Sequence, residues 1–467
     1  MSKNRLYING EWTDSTGNET ADVINPATEE AIDTVPVGTE EDVDKAVAAA
    51  KEAFKTWNKT SIEERIEYME KVYDEIEKHQ QEIADTIVAE LGTSQTFAEN
   101  NQAPQPLNEM RATLDEIRNY EFEYYEDSAK IIKEGYGVVA CITPWNYPIN
   151  QIQRKITPAI LGGNTVVVKP ASNTPLTAIL YAKLIDNAGL PKGVFNLVTG
   201  SGSTTGDYLS KHKDVDVISF TGSTEVGKQM YANASDQIKQ VVLELGGKSP
   251  LVYLKGGDLK AAVKQSMDTV LNNQGQTCTA LTRLLVPEDE LEDAKQAVLD
   301  YYKEAVVIGD PTDKETMVGP MVSEDQLETV LDYIETGKKE GAEVLVGGNR
   351  IDRPGYYVEP TVFIADNNMT ISQEEIFGPV LNIITYKDQE EAVHLANDVV
   401  YGLSGAVVGP QKEAEEVAAQ LRTGNIIVNG GERIAKAPFG GYKQSGRGRE
   451  NGIYGVEDYL EIKSLFL

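Results

Sequence analysis

VDVISFTGSTEVGKQMY, residues Val215–Tyr231, begins as an apolar strand and becomes a helix across the turn Phe220–Gly227. At such a handover free N–H groups and the positive helix end point at one place, which can receive a pyrophosphate. Gly222 and Gly227 are spaced G-x-x-x-x-G, not in the usual dinucleotide fingerprint, so the turn alone is a weak phosphate signal. Upstream, NTVVVKPAS (164–172), LTAILYAKLIDNAG (176–189) and VFNLVTG (194–200) repeat the alternation of strand and helix. Apolar strands separated by helices of this length indicate a parallel sheet covered on both faces.

Two further stretches carry chemistry. In VVLELGGKSPLVYL (241–254) Glu244 stands among Val and Leu, where a carboxylate is expensive to bury without a partner or a raised pKa, a setting that suits a general base. LNNQGQTCTALTR (271–283) puts Cys278 in a polar segment, which marks it as a candidate nucleophile, although an isolated Cys is more often a packing residue. The chain's other cysteine, Cys141, lies in the apolar run VVACI and reads as packing. Beyond Cys278 a second alternation extends from RLLV at 283 through AEVLVGG (342–348) and EEIFGPVLNIITY (374–386) to SGAVVG (404–409), and reads as a second α/β domain. The end, YGVEDYLEIKSLFL, alternates as a strand able to join another domain or subunit edge.

The N-terminal part reads as short strands with Asn-Gly and Asn-Pro turns. Helices are predicted over 40–58 and 61–91, with Thr39 and Ser61 as N-caps, and over 108–125. The polar stretch QTFAENNQ (95–102) reads as a loop. With 467 residues the chain is roughly three typical domain lengths, so two or three domains are expected. The formal net charge of -31 is spread along the chain and argues against nucleic acid or an anionic membrane surface as a partner. Two cysteines and three scattered histidines provide neither a disulfide framework nor a metal pattern. The N-terminus has no apolar signal core and no run is long enough to span a membrane, so a cytoplasmic protein is expected.

Taken together, PWNYP (144–148), VVVKPAS (166–172), FTGSTEVG, LELGGKS (243–249), NQGQTC (273–278), EEIFGPV (374–380) and PFGGYKQSGRGRE (438–450) resemble the NAD(P)-dependent aldehyde dehydrogenase superfamily of the hydrolytic type, in order and in spacing. The resemblance covers essentially the whole chain, and LELGGK followed 34 residues after its Glu244 by Cys278 of GQTC is its most specific part. It implies an α/β fold with a Rossmann-type cofactor domain (1–113 and 137–245), a catalytic domain (246–447) and a small β oligomerisation extension (114–136 and 448–467). It implies that Cys278 is the nucleophile and Glu244 the general base. The Asn146 amide and the Cys278 backbone N–H would stabilise the oxyanion, and Lys155 and Glu450 would form a proton path. Lys169 and Glu375 would hold the two riboses, with Phe377 beside the nicotinamide ribose. Trp145, Gly222, Ser223 and Gly227 would lie along the cofactor, and Phe439 would wall the substrate tunnel.

Ser172 stands where many NAD-specific members carry a Glu, so NAD or NADP is expected, with NAD favoured. The reaction implied is oxidation of a small-molecule aldehyde to its acid, with water as acyl acceptor, by a homodimer or homotetramer. Only Arg154 and Arg283 stay open as groups that could grip a substrate carboxylate, so an apolar aliphatic or aromatic aldehyde is preferred over a semialdehyde acid. The alternatives are a semialdehyde dehydrogenase, a CoA-acylating enzyme, against which Glu244 argues, and a Cys/Glu hydrolase, which would leave Lys169 and Glu375 unused.

Overall fold

Runs of β-branched residues form the strands, and in one sheet five of them lie parallel in the order Phe195–Leu197, Thr165–Lys169, Val138–Ile142, Val217–Thr221, Gln240–Glu244. The computed structural model describes residues 5–467; Met1–Asn4, where the expected cofactor domain and the N-terminal reading begin, lie outside them. A hairpin of Leu6–Ile8 and Glu11–Thr13 extends one edge through the Asn9–Gly10 turn, and Gly446–Arg447 extends the other. Strands Val138–Ile142, Thr165–Lys169 and Val217–Thr221 are buried at every position, as a sheet covered by helices on both faces requires. The chain leaves Val138–Ile142 in one direction and returns to lay Val217–Thr221 on its other side. That reversal opens a crevice between the segments after the two strands, Thr143–Asn146 and Gly222–Ser223, where ligands bind in folds of this kind.

The second sheet runs Glu343–Val346, Thr361–Ile364, Val380–Tyr386, Arg283–Pro287, Pro250–Tyr253, Ser404–Val408, Asn425–Val428, with only the first strand antiparallel to its neighbour. A third, antiparallel sheet joins Glu123–Glu126, Ala129–Gly135 and the C-terminal Leu460–Phe466. Among the described residues no helix is long and apolar enough to cross a membrane.

Three local expectations change. The helix expected over 61–91 is two, Ile62–Lys78 and Gln80–Leu91, broken at His79, whose ring nitrogen turns back to the Glu75 carbonyl at 2.8 Å. The helix expected to reach Tyr125 stops at Ile117, and Tyr124 and Tyr125 enter the strand Glu123–Glu126. The stretch QTFAENNQ is helical, Gln95–Phe97 followed by a wider turn Ala98–Gln102, with Ser94 as its cap. Its polarity suggested a loop, but Gln102 is buried and hydrogen-bonded to the Asn146 carbonyl (3.3 Å) and Asn273 Oδ1 (3.1 Å).

The crossing between the two large sheets is Leu245–Ser249, from the end of Gln240–Glu244 to the start of Pro250–Tyr253. It passes between Cys278 and Glu375. A Cβ on Gly247 would overlap the Cys278 carbonyl oxygen, and one on Gly246 would overlap the Glu375 carboxyl. Gly247→Ala is therefore expected to lower stability by about 1–3 kcal/mol, the usual cost of overpacking. Gly405→Ala, whose new methyl would meet only ordinary contacts beginning at 3.4 Å, should be neutral or slightly stabilising. Denaturant midpoints of the two variants compare them; equal midpoints would show that the crossing is not close-packed.

Candidate active site

Cys278 is carried by a loop that few sequences can adopt. Asn273 and Gln274 take left-handed conformations (φ 52° and 56°), and Gly275 follows at φ 69°. Such conformations cost free energy for non-glycine residues and persist only when their surroundings hold them. Here the side-chain amides do so. Asn273 Nδ2 donates to the Asn146 carbonyl (2.9 Å) and the Gln276 carbonyl (3.2 Å), Gln274 Nε2 to the Gly92 carbonyl (3.0 Å), and Gln276 Nε2 to the Asn273 carbonyl (3.1 Å). Gln276 Oε1 accepts from the Val322 N–H at 3.0 Å. Asn146, 2% exposed, uses one amide N–H on the Gln276 carbonyl at 3.0 Å, and its second N–H has no partner among the described residues.

Burial, with the charges of Glu375 and Glu244, pushes the Cys278 thiol up to about 12, while Arg154 and Arg433 pull it the other way. Glu244 ends its strand 3% exposed, with neither carboxyl oxygen hydrogen-bonded among the described residues. Burial and the neighbouring Glu450 raise it well above the usual carboxylate range. Behind it, fully buried Lys155 donates to Glu450 Oε1 at 3.0 Å, and Arg154 binds Glu109 through two bonds of 2.5 and 2.7 Å and approaches Glu450 Oε2 at 3.9 Å.

Two cavities adjoin this centre. The first, about 220 Å³, lies at the crevice between the parallel strands and is lined by Trp145, Asn146, Gly222, Ser223, Cys278, Glu375 and Phe377. Trp145 and Phe377 meet edge to face at 5.2 Å. Ser223 caps the helix Thr224–Ser235 by accepting from the Val226 N–H at 3.3 Å. Glu375 Oε1 accepts from the Gly247 N–H at 2.9 Å, and burial lifts its carboxyl to about 7. Lys169 ends its strand beside Gly202 and Gly206, with burial lowering its ammonium to about 8 and no hydrogen-bond partner for it among the described residues.

The second cavity, about 570 Å³, is walled by Phe439, Arg154, Glu109, Asn108, Asn451 and Arg433. The Arg154 guanidinium stacks over the Phe439 ring at 4.7 Å.

Of the residues singled out from sequence, Trp145, Asn146, Gly222, Ser223, Cys278, Glu375 and Phe377 share the first cavity, and Phe439 lines the second. Glu244, Lys155 and Glu450 form the buried cluster beside them. Gly227 lies within the helix against Leu245 rather than on the crevice, and Ser172 is exposed in the turn after Lys169. Arg283 is excluded from substrate contact. It is wholly buried and holds the Lys248, Leu395 and Ala396 carbonyls and Asn367 Oδ1 at 2.8–3.0 Å.

The second cavity draws charged groups from three other segments, at Glu109, Arg154 and Arg433, beside an apolar lining from Ile426, Ile427, Val428 and Phe439. Sequence reading missed Glu109 and Arg433. For Arg433 a signal existed, since it stands six residues before Phe439; for Glu109, one acid on an amphipathic helix, there was none.

The pattern that defines the aldehyde dehydrogenase family matches residues 12–465. A protein of Staphylococcus haemolyticus that carries the aldehyde dehydrogenase name is 45% identical over 466 residues, 98% of each chain. Aldehyde dehydrogenase C of Pseudomonas syringae, solved as a cysteine-to-alanine variant with NAD+ and octanal, superposes with a TM-score of 0.98 at 41% identity over 100% of this chain and 97% of its own. Betaine aldehyde dehydrogenase of Staphylococcus aureus with NAD+ gives 0.96 at 38% identity, covering 99% of this chain and 95% of its own. The chain belongs to the aldehyde dehydrogenase family and is an NAD(P)-dependent enzyme of that family.

Proposed function

We propose that this enzyme oxidises an aldehyde to its carboxylic acid through a covalent intermediate on Cys278, with water as the acyl acceptor. The observation that carries the reading is a thiol and a free amide N–H on one crevice with a buried carboxyl, unbonded at both oxygens, acting on the thiol. A thiol held near 12 is a poor nucleophile until a base takes its proton, and Glu244, raised well above an ordinary carboxylate, is suited to that task. Attack by the sulfur on the carbonyl carbon forms a thiohemiacetal. Its oxyanion is met by the second Asn146 N–H and the Cys278 backbone N–H. With its hydride given up to the nicotinamide that the first cavity would hold, the thiohemiacetal becomes a thioester; Glu244 then deprotonates the water that hydrolyses it, and the pair Lys155–Glu450 behind it carries the proton away from the site.

The first cavity suits a dinucleotide. It lies at the strand-order reversal, a capped helix N-terminus faces it, and Glu375 offers an unbonded carboxyl oxygen to a ribose. Lys169, buried without a partner, is suited to the far ribose, while Gly227 contributes packing and Ser172 no charge. Bound NAD+ supplies the hydride acceptor. NAD is favoured over NADP, and the NAD+-bound relatives support that choice. Homodimers or homotetramers would assemble through the C-terminal strand, where Ile462, Phe466 and Leu467 are exposed. Two free thiols and the absence of a membrane-spanning helix among the described residues support a cytoplasmic setting. The domain limits near residues 113, 137, 245 and 447 belong to the same proposal.

Cys278→Ala abolishes oxidation while leaving NAD+ binding measurable by calorimetry; near-native turnover would exclude the covalent route. Glu244→Gln leaves an acyl-enzyme visible by intact mass and removes the low-pH limb of the kcat profile. The sign follows from the base: it works deprotonated, so the native rate rises with pH through its raised pKa. Asn146→Ala lowers kcat about 100- to 1000-fold, the typical effect of one lost oxyanion donor. With equal concentrations of the two cofactors, turnover is faster with NAD+, and a tenfold preference for NADP+ would reverse the assignment.

A further inference from the structure

Arg154 stands between two carboxylates and is bonded to only one of them. Its Nε and Nη2 donate to Glu109 Oε2 and Oε1 at 2.7 and 2.5 Å, a bidentate pair, and Glu109 Oε1 also accepts from Gln105 Nε2 at 3.1 Å. The third nitrogen, Nη1, lies 3.9 Å from Glu450 Oε2, beyond hydrogen-bond length. Glu450 Oε1 takes Lys155 at 3.0 Å, whereas its buried Oε2 accepts nothing among the described residues. The guanidinium is thus one short step from a second, closer ion pair. The side chains of Arg154, Glu109 and Glu450 are 10%, 8% and 2% exposed, so solvent screens little of what passes between them.

Backbone geometry ties this cluster to Glu244. Phe439, over whose ring the Arg154 guanidinium lies at 4.7 Å, exchanges two backbone hydrogen bonds with Glu450, at 2.7 and 2.9 Å. The next residue, Gly440, packs so closely on Glu244 that a Cβ there would lie 2.8 Å from its Oε1. Resting on the reading of Glu244 as the base, we propose that Glu109 is a positioning residue for the reaction: it holds Arg154 on Phe439 and off Glu450, so that the Glu450 charge stays open toward Glu244. A carboxylate beside another disfavours the charged form of its neighbour, and a cation moved onto the first cancels that effect. Burial is the largest cause of the raised Glu244, Glu450 the next, and Arg154 opposes both. The other groups nearby are fixed elsewhere. Lys155 and Arg449 face Glu244, Cys141, Asp458 and Tyr459 lie around Glu450, and the Cys278 thiol and the exposed Arg433 face Arg154. None of them is bonded to Glu109 among the described residues.

The test is the pH profile of kcat, measured with saturating NAD+ and the straight-chain aldehyde that turns over fastest. In Glu109→Gln the released Arg154 closes on Glu450 Oε2, the base loses its proton more readily, and the low-pH limb moves down by at least about half a unit. Glu109→Asp, which keeps the charge, recovers part of the native limb. Arg154→Gln moves the limb the opposite way, and adding Glu109→Gln to it changes nothing further, because Glu109 has then lost the group through which it acts. That pair of variants carries the test where Glu109→Gln alone fails to fold. A limb that stays in place or rises in Glu109→Gln overturns the proposal, as does a downward shift that Glu109→Gln still produces in the Arg154→Gln background, since the acid would then act by its own charge. Either outcome leaves aldehyde oxidation intact. A low-pH limb that persists in Glu244→Gln overturns the reading of the base itself, independently of Glu109.

Discussion

The lock of side-chain amides around the Cys278 loop is the constraint on which the rest of the site depends. Asn273, Gln274 and Gln276 bind backbone carbonyls of their own loop, of Asn146 and of Gly92, while Gln276 accepts from Val322. The loop is thereby tied to the segment after Val138–Ile142 in one sheet, to helix Gln80–Leu91 and to the chain before helix Glu324–Glu340. Each left-handed non-glycine residue costs on the order of 1–3 kcal/mol, and each net hydrogen bond returns about 1 kcal/mol. The balance favours the loop only while all partners are in register. The same bonds orient Asn146, because the Gln276 carbonyl fixes one of its N–H groups and so aims the other.

A second constraint is electrostatic. Five ionisable groups are packed behind the nucleophile: Arg154 and Lys155, against Glu109, Glu244 and Glu450. Two cations face three carboxylates there, an imbalance that favours the neutral form of the acid with the fewest bonds. Glu109 is bonded twice to Arg154 and Glu450 to Lys155, which leaves Glu244, whose oxygens accept no hydrogen bond. Arg449 also acts on it, yet is only partly buried and spends its hydrogen bonds on the Gly441 and Gly448 carbonyls. The raised pKa of Glu244 thus comes first from burial and then from the neighbouring charge of Glu450.

Much of this was legible in the sequence because the groups concerned act from motifs whose backbone also serves the site. LELGGKS delivers Glu244 and the two glycines that clear Cys278 and Glu375; PWNYP delivers Trp145 and Asn146; EEIFGPV delivers Glu375 and Phe377. Strand and helix alternation likewise carried the parallel sheet and its crevice. Other features depend on distant partners and leave no local trace. QTFAENNQ is as polar as a loop, and is helical because Gln102 finds acceptors more than 40 residues away. Arg283 had the look of a possible ligand group and is instead a buried clamp on four acceptors, whereas Arg433, in a glycine-bearing surface stretch, bonds only Ser404 Oγ among the described residues. The difference between the two lies in tertiary partners, which composition does not encode.

The resting thiol presents a final tension. A catalytic cysteine is commonly expected to be ionised, yet Cys278 is held near 12. A permanently ionised sulfur open to the first cavity would be the preferred target of oxidants, so a protonated resting state protects it. Reactivity must then be conferred by the base at the moment of attack. In the proposed reaction the proton moves from a thiol of high pKa to a carboxylate, and the gap between them narrows because Glu244 is itself raised. Arg154 and Arg433 narrow it from the other side, since both favour the thiolate.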